Sequence, residues 1–317
     1  MKAFVTGTAG FIGSTLATAL TASGAEVVGI DCFTDYYGRE IKEGNLAELR
    51  TRPNFRFVED TLQAAPLEEL LDGVTHVFHL AAQAGVRGSW GTQFRTYTAN
   101  NIEATQRLLE ALKGRPITRL VYASSSSVYG DIAEIPMKED VRLQPVSPYG
   151  VSKLAAEHLC HLYHVNYGVP AVSLRYFTVY GPRQRPDMGF HRFIRAALTG
   201  QPITLFGDGE QSRDFTFVDD AVAATRAAGD RGRPGAVYNI GGGSRVTINH
   251  VLAMIGRLTG RSLDIRHHPA EKGDMRDTFA DTSRARAELG FAPSHSLESG
   301  LAAECQWLSR LLDRPIP

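Results

Sequence analysis

Three cysteines in 317 residues, Cys32, Cys160 and Cys305, are too few, too scattered and wrongly numbered for a disulfide framework or a zinc ribbon, so a reducing setting is expected. Neither sign of charge is in excess. The 34 Lys and Arg against 34 Asp and Glu leave no overall basic field for nucleic acid or an anionic membrane, although an anionic small ligand stays open. No apolar run reaches membrane-spanning length, and the chain opens directly on a strand pattern without a basic-then-apolar leader, from which a cytoplasmic protein with no membrane partner is expected. Internal repeats, low-complexity tracts and long linkers are also lacking. What is present is a globular composition, 43% hydrophobic and 21% charged, in a chain longer than one usual domain, so two lobes are expected.

The strand pattern Lys2-Ala3-Phe4-Val5-Thr6 runs into Gly7-Thr8-Ala9-Gly10-Phe11-Ile12-Gly13, and helical spacing follows through Leu16 and Leu20. That order suits a phosphate at a helix N-terminus: Gly7 makes the tight turn, Gly10 lets backbone amides approach a pyrophosphate, and Gly13 lets the helix pack closely on the sheet. The glycines are spaced three and three rather than the commoner two and three, so a purely structural turn stays open. The next strand, Glu26 to Ile30, ends at Asp31, whose carboxylate can accept the ribose hydroxyls and repels a 2'-phosphate, favouring NAD over NADP. Strands at Phe55 to Val58 and His76 to Leu80 end at Glu59-Asp60-Thr61 and at Ala81-Ala82-Gln83-Ala84-Gly85-Val86-Arg87. Asp60 is placed for adenine, the small residues let backbone lie against a cofactor, and Arg87 is a candidate for a substrate anion. Helical spacing from about Gln93 to Leu112 and a strand at Arg119 to Ala123 continue the alternation, which reads as a doubly wound parallel α/β sheet.

That strand runs into Ser124-Ser125-Ser126-Ser127-Val128-Tyr129-Gly130, either a polar loop or hydroxyls able to hold a reacting oxygen. Tyr149-Gly150-Val151-Ser152-Lys153 follows. A spacing of four on a helix brings the Lys ammonium near the phenol, which would draw the Tyr pKa down from about 10 and make Tyr149 a proton acceptor. The same spacing also occurs in ordinary surface pairs. Beyond residue 175 the spacing reads as a helix near Phe190 to Leu198 and strands at Ile203 to Leu205, Asp214 to Val218 and Val237 to Ile240. Arg185, Arg192 and Arg213 are guanidinium groups suited to phosphate or carboxylate, though each alone reads as well as a solvated residue. His158, His161 and His164 drift around the helix that carries Lys153, with no Cys or carboxylate completing a compact set, so no metal is expected.

Together, Gly7-x-x-Gly10-x-x-Gly13, Asp31, the Ser run with Val128-Tyr129-Gly130, and Tyr149-x-x-x-Lys153 resemble the extended short-chain dehydrogenase/reductase family over nearly the whole chain. Ala81 to Arg87, Arg175-Tyr176-Phe177-Thr178-Val179-Tyr180-Gly181-Pro182 and Arg185-Pro186-Asp187-Met188 are most similar to nucleotide-sugar epimerases, in particular those acting at C4 of UDP-glucuronate. The resemblance implies a Rossmann-like NAD-binding domain over 1–175 and a smaller α/β substrate lobe over 176–317, with about 214–245 returning to the first domain. It implies Tyr149, Lys153, Ser125 and Ser127 as catalytic residues. Cofactor contacts are implied for Gly7, Gly10, Phe11, Ile12, Gly13, Asp31, Asp60, Thr61, Leu80, Ala81, Ala82, Gln83 and Tyr176, besides Tyr149 and Lys153. Substrate contacts are implied for Arg87, Ser126, Ser127, Thr178, Arg185, Arg192, Arg213 and Asp274. The expected partners are a UDP-sugar and a second copy of the chain, paired through the helices near Gln93 to Leu112 and Tyr149 to Asn166.

The expected reaction is 4-epimerisation of UDP-glucuronate by transient oxidation at C4. Sister enzymes that eliminate water or carbon dioxide typically carry Asp or Glu where this chain has Ser126 and Ser127. Thr178, where similar hexose epimerases usually have Asn, and Arg185 favour the uronate over neutral hexose. A UDP-glucose 4-epimerase is the alternative, then a UDP-glucuronate decarboxylase, and outside enzymes an NAD-binding structural or sensor protein. Three departures from the resembled pattern stand out: Arg183-Gln184 in place of a Trp-Gly pair, Gly88 in place of an aromatic, and Glu271 where hexose epimerases carry Arg.

Overall fold

The computed structural model describes residues 1–131, 134–269, 271, 273, 275–313 and 315–316. Six strands in chain order, β1 (Lys2–Thr6), β2 (Glu26–Asp31), β3 (Phe55–Glu59), β4 (His76–His79), β5 (Arg119–Ser125) and β6 (Ala171–Tyr176), are joined by Val237–Ile240 in one parallel sheet. The spatial order is Val237–Ile240, β6, β5, β4, β1, β2, β3. The sheet is buried on both faces, and the period-2 side-chain direction divides its apolar run between two cores. Ala3, Val5, Val121, Val172 and Leu174 face one core with the helix α1 (Phe11–Ala22) and the Val218–Arg231 helix. Phe4, Leu120, Tyr122 and Ala171 face the other with the Ala104–Leu112 and Pro148–Tyr167 helices.

The strand order reverses beside β1, which lies between β2 and β4. At such a switch point the connections leave in opposite directions and open a crevice at the carboxyl ends of the strands. The Pro148–Tyr167 helix, called the catalytic helix below for the role expected of Tyr149 and Lys153, is started by Ser147, whose hydroxyl accepts from the Gly150 amide at 3.1 Å, with Pro148 in its first turn; Gly168 stops it in the left-handed conformation at φ 70°.

Two predicted elements differ in detail. The helical stretch from about 93 to 112 contains a π-helical segment over Thr98–Glu103, which turns Asn101 inward. Its side chain accepts from the Gln83 amide at 2.7 Å and donates to the Gln83 carbonyl at 3.1 Å and to Ser152 Oγ at 2.8 Å, tying the loop after β4 to the catalytic helix. The strand predicted over 214–218 is divided into Ser212–Asp214 and Thr216–Phe217, and Val218 begins a helix instead. Asp219 and Asp220 fall in that helix's first turn, where a carboxylate complements the helix dipole.

The remaining short strands pair two by two: Ile203–Phe206 with Ile265–His268, Ser212–Asp214 with Arg245–Thr247, and Val179–Tyr180 with Thr216–Phe217. The Gly189–Thr199, Ile248–Thr259 and Leu297–Leu311 helices pack against one another beside them.

Candidate active site

The crevice at the carboxyl ends of β1, β2 and β4 holds a cavity lined by every residue for which the sequence implied a cofactor contact, from Gly7 to Tyr176. Its floor is the glycine turn. Gly7 has φ +72°, and a Cβ on it would stand 2.8 Å from the Ala81 amide nitrogen, while a Cβ on Gly13 would overlap the Gly7 carbonyl. Only glycines therefore let β1, α1 and the loop after β4 approach so closely. No side chain caps α1 at Gly10, so its first-turn amides are left for a diphosphate. Asp31 accepts from the Ala9 amide at 3.1 Å and the Phe33 amide at 2.9 Å. Burial raises its pKa despite those bonds and the nearby Lys42 charge.

Lys42, Tyr36 and Tyr37 also line this cavity, and sequence reading passed over them. They follow β2 in a loop and helix of no recognisable spacing, and only the fold brings them over Asp31. The Lys42 ammonium donates to the Thr34 carbonyl at 2.6 Å. The Tyr36 hydroxyl donates to Asp187 at 3.2 Å, joining the loop after β2 to the 181–188 loop.

Tyr149 and Lys153 stand at the inner wall of the same cavity. The ammonium of Lys153 donates to the Ala123 carbonyl at 2.7 Å and lies 5.1 Å from the centre of the Tyr122 ring, and burial lowers its pKa to about 8. The expected lowering of the Tyr149 phenol is corrected: burial raises its pKa, and the Ser125 hydroxyl and the positive charge of Arg185 oppose the rise. Tyr97 packs edge-on against Tyr149 at 6.3 Å between centroids and donates to the Ala84 and Gly85 carbonyls at 3.0 and 2.8 Å.

Arg185 borders this cavity in a side-on pair with Asp187, Nε to Oδ1 and Nη2 to Oδ2 both at 3.0 Å. Ser126, Ser127, Thr178 and Arg213 line a second cavity together with Val86, Ser147, Met275 and Thr278, which the sequence had not singled out. Arg213 is held by the Arg276 carbonyl at 2.8 Å and the Met275 carbonyl at 2.5 Å. Ser125 lines neither cavity, but its Oγ accepts from the Ser127 amide at 3.1 Å and fixes the turn between them.

Two candidate substrate contacts are not brought to either cavity. Arg192 projects from the exposed face of the Gly189–Thr199 helix, whose apolar side buries Phe190, Phe193 and Ile194. The Arg87 guanidinium stacks 4.2 Å from the centre of the Phe206 ring. Asp274 lies outside the described residues. Of the departures, Arg183 has φ 72° and reaches Thr18 on α1 at 3.3 Å, while the Gln184 side chain accepts from the His191 amide at 2.9 Å and donates to the Val179 carbonyl at 3.2 Å. Both thus serve to hold the 181–188 loop.

Residues 3–241 match the model of the NAD dependent epimerase/dehydratase family. The chain is 45% identical over 315 residues to an uncharacterised UDP-glucose epimerase of Bacillus subtilis (strain 168), covering 98% of this chain and 99% of the relative. It is 38% identical over 308 residues to a UDP-glucuronate 4-epimerase of Thermodesulfobacterium geofontis (strain OPF15), covering 96% and 94%. The crystal structure of the UDP-glucuronic acid 4-epimerase from Bacillus cereus in complex with UDP-glucuronic acid and NAD superposes with a TM-score of 0.96 at 44% identity, covering 98% of this chain and 100% of that one.

Proposed function

The chain belongs to the NAD dependent epimerase/dehydratase family, and on that premise we propose that it inverts C4 of UDP-glucuronate to give UDP-galacturonate, an isomerisation that uses NAD and consumes no net reductant. The observation that carries the uronate reading is Arg185, a cation bordering the cavity at Tyr149, with Ser126, Ser127 and Thr178 lining a second cavity and hydroxyls rather than carboxylates at positions 125 to 127. The solved relative from Bacillus cereus binds both UDP-glucuronic acid and NAD and agrees with this chain over almost its whole length.

The glycine turn and the α1 amides suit the cofactor diphosphate, and Asp31 suits its ribose hydroxyls. NAD, when bound there, would supply the acceptor and then the donor for the C4 hydride. Tyr149 removes the proton from the 4-hydroxyl and later gives one back. Ser125, whose hydroxyl lowers the same phenol, steadies that oxygen. Between the two transfers the 4-keto sugar turns over, and the nucleotide is held by the substrate lobe. A 4-keto uronate is a β-keto acid that loses carbon dioxide readily. Arg185 and the hydroxyls of Ser126, Ser127 and Thr178 hold the carboxylate as an anion and so oppose that loss. Dehydration would need an acid and a base at the serine turn, where this chain has only hydroxyls.

The same reading divides the chain near residue 175 into cofactor and substrate parts. It sets the protein in a reducing cytoplasm, supported by three free thiols; among the described residues no helix is long and apolar enough to cross a membrane. It also pairs two copies. Val151, Leu162 and Val165 recur at helical spacing on the exposed side of the catalytic helix, an apolar stripe suited to a second copy of itself.

The test is to denature purified protein, identify the released cofactor and assay UDP-sugars by product separation. NAD and interconversion of UDP-glucuronate with UDP-galacturonate without added reductant are expected. Turnover of UDP-glucose alone, the reading favoured by the name of the Bacillus subtilis relative, would sink the uronate assignment.

A further inference from the structure

Three consecutive residues of β5 bond to the catalytic helix. The Tyr122 hydroxyl donates to the Lys153 carbonyl at 3.4 Å, the Ala123 carbonyl accepts from the Lys153 ammonium at 2.7 Å, and Ser124 Oγ donates to Glu157 Oε2 at 2.6 Å, with Ser125 next along the strand. Tyr149, Lys153 and Glu157 follow one another at four-residue spacing, so they share the helix face turned to the sheet. Glu157 is the one carboxylate in this ladder, and it is buried. Arg175 on β6 holds it from the far side, Nη2 to Oε1 at 2.6 Å and Nε to Oε2 at 3.1 Å. Arg175 is itself fixed by the Tyr129 hydroxyl and the Glu139 carbonyl, both at 2.9 Å, and Tyr129 donates to Asn239 at 2.6 Å. Such a pair adds little net stability over apolar side chains of the same volume. What it supplies is a fixed distance and roll between helix and strand.

Resting on the function proposed above, we propose that Ser124, Glu157 and Arg175 are positioning residues: a buried clamp that seats the catalytic helix on β5 and thereby sets the Ser125 hydroxyl against the Tyr149 phenol. Ser124 is the rung next to Ser125 in sequence, and Glu157 lies two helical turns from Tyr149, so the clamp acts on the placing of both Ser125 and Tyr149 without being either of them. Around the Tyr149 phenol stand Ser125 from β5, Arg185 from the 181–188 loop, Tyr97 from the preceding helix and Lys153 one turn along its own.

Glu157→Gln would leave the Arg175 charge buried and unpaired and risks unfolding, so Ser124→Ala carries the test. Ser124→Ala, Ser125→Ala and the double variant are compared in steady-state epimerisation. The Tyr149 ring is also titrated by 13C-tyrosine NMR, with its signal assigned through Tyr149→Phe. Ser124→Ala is expected to keep its circular dichroism and bound NAD and to lose about tenfold in kcat at unchanged KM, with Tyr149 titrating about half a pH unit higher because Ser125, which lowers the phenol, is no longer held beside it. The double variant is expected to be no worse than Ser125→Ala. Multiplying losses in the double variant, or an unmoved Tyr149 titration in Ser124→Ala, would overturn the clamp. A wild-type protein inactive on every UDP-sugar would overturn the proposed function instead, and the titration would still decide the clamp.

Discussion

At Tyr149, burial and charge act in opposite directions. Burial raises the phenol, and the Ser125 hydroxyl and the Arg185 cation bring it partway back. Tyr149→Phe removes the proton acceptor but keeps the ring that packs on Tyr97, so epimerisation should fall about a thousandfold while NAD stays bound; rate and released cofactor are the two readings. Because the base form grows as pH rises, kcat should climb on the alkaline side of neutrality. Arg185→Met removes a charge that favours the phenolate, so that limb should move to higher pH. The same variant should raise KM for UDP-glucuronate about tenfold or more, the worth of a charge-assisted bidentate contact, and leave any UDP-glucose turnover within about twofold in KM. Equal KM changes for both sugars would count against Arg185 as the uronate reader. The Tyr-x-x-x-Lys spacing puts both side chains on one cavity, but it does not show the Arg185 charge that also acts on the phenol. That depended on where the 181–188 loop folds back, and a loop carries no periodicity to read.

Between elements, close approach does most of the work. A Cβ on Gly150 would overlap the Ser127 carbonyl, so Gly150→Ala should push the catalytic helix from the serine turn, lowering kcat at least tenfold with a small loss of thermal stability. Asp214 shows how the lobe is fastened to the sheet. Its buried carboxylate accepts from the Ala280 and Gly243 amides, both at 3.1 Å, and burial raises its pKa to about 6. Against about 3.9 in the unfolded chain, the folded state holds more protons between those values. The contribution of Asp214 to stability is therefore whole below about pH 4 and is lost as pH rises through 6. The melting temperature of Asp214→Asn should accordingly gain on wild type as pH is raised from about 4 to 7; a constant difference across that window would refute this. The split of the predicted 214–218 strand belongs here too. Phe215 and Phe217 read as strand residues, yet Asp219 and Asp220 favour a helix start, and a single alternating run cannot show where one ends and the other begins.

Over the whole molecule, the apolar stripe of Val151, Leu162 and Val165 predicts that Val165→Glu turns a dimer into a monomer by light scattering, because a charge in such a seam would be buried without a partner. A wild-type monomer would refute the pairing. The parallel sheet, its glycine turn and the nucleotide-binding crevice were legible in the chain because each rests on local chemistry: strand alternation, turn glycines and an acid at a strand end. Every residue read as a cofactor contact lies on one cavity for that reason, since the crevice is built from the segments just after β1 to β6. The substrate side was read less completely. Arg192 and Arg87 had suitable chemistry but lie elsewhere, while Thr278, Met275 and Ser147 line the second cavity without any pattern to announce them. The sequence alone determined the chemistry that Tyr149 can begin. The tertiary structure decided that burial raises the phenol with Arg185 opposing it, and that Glu157, two turns along the helix, is held between Ser124 and Arg175. Those are distances between segments far apart in the chain, set by packing, which spacing along the chain does not encode.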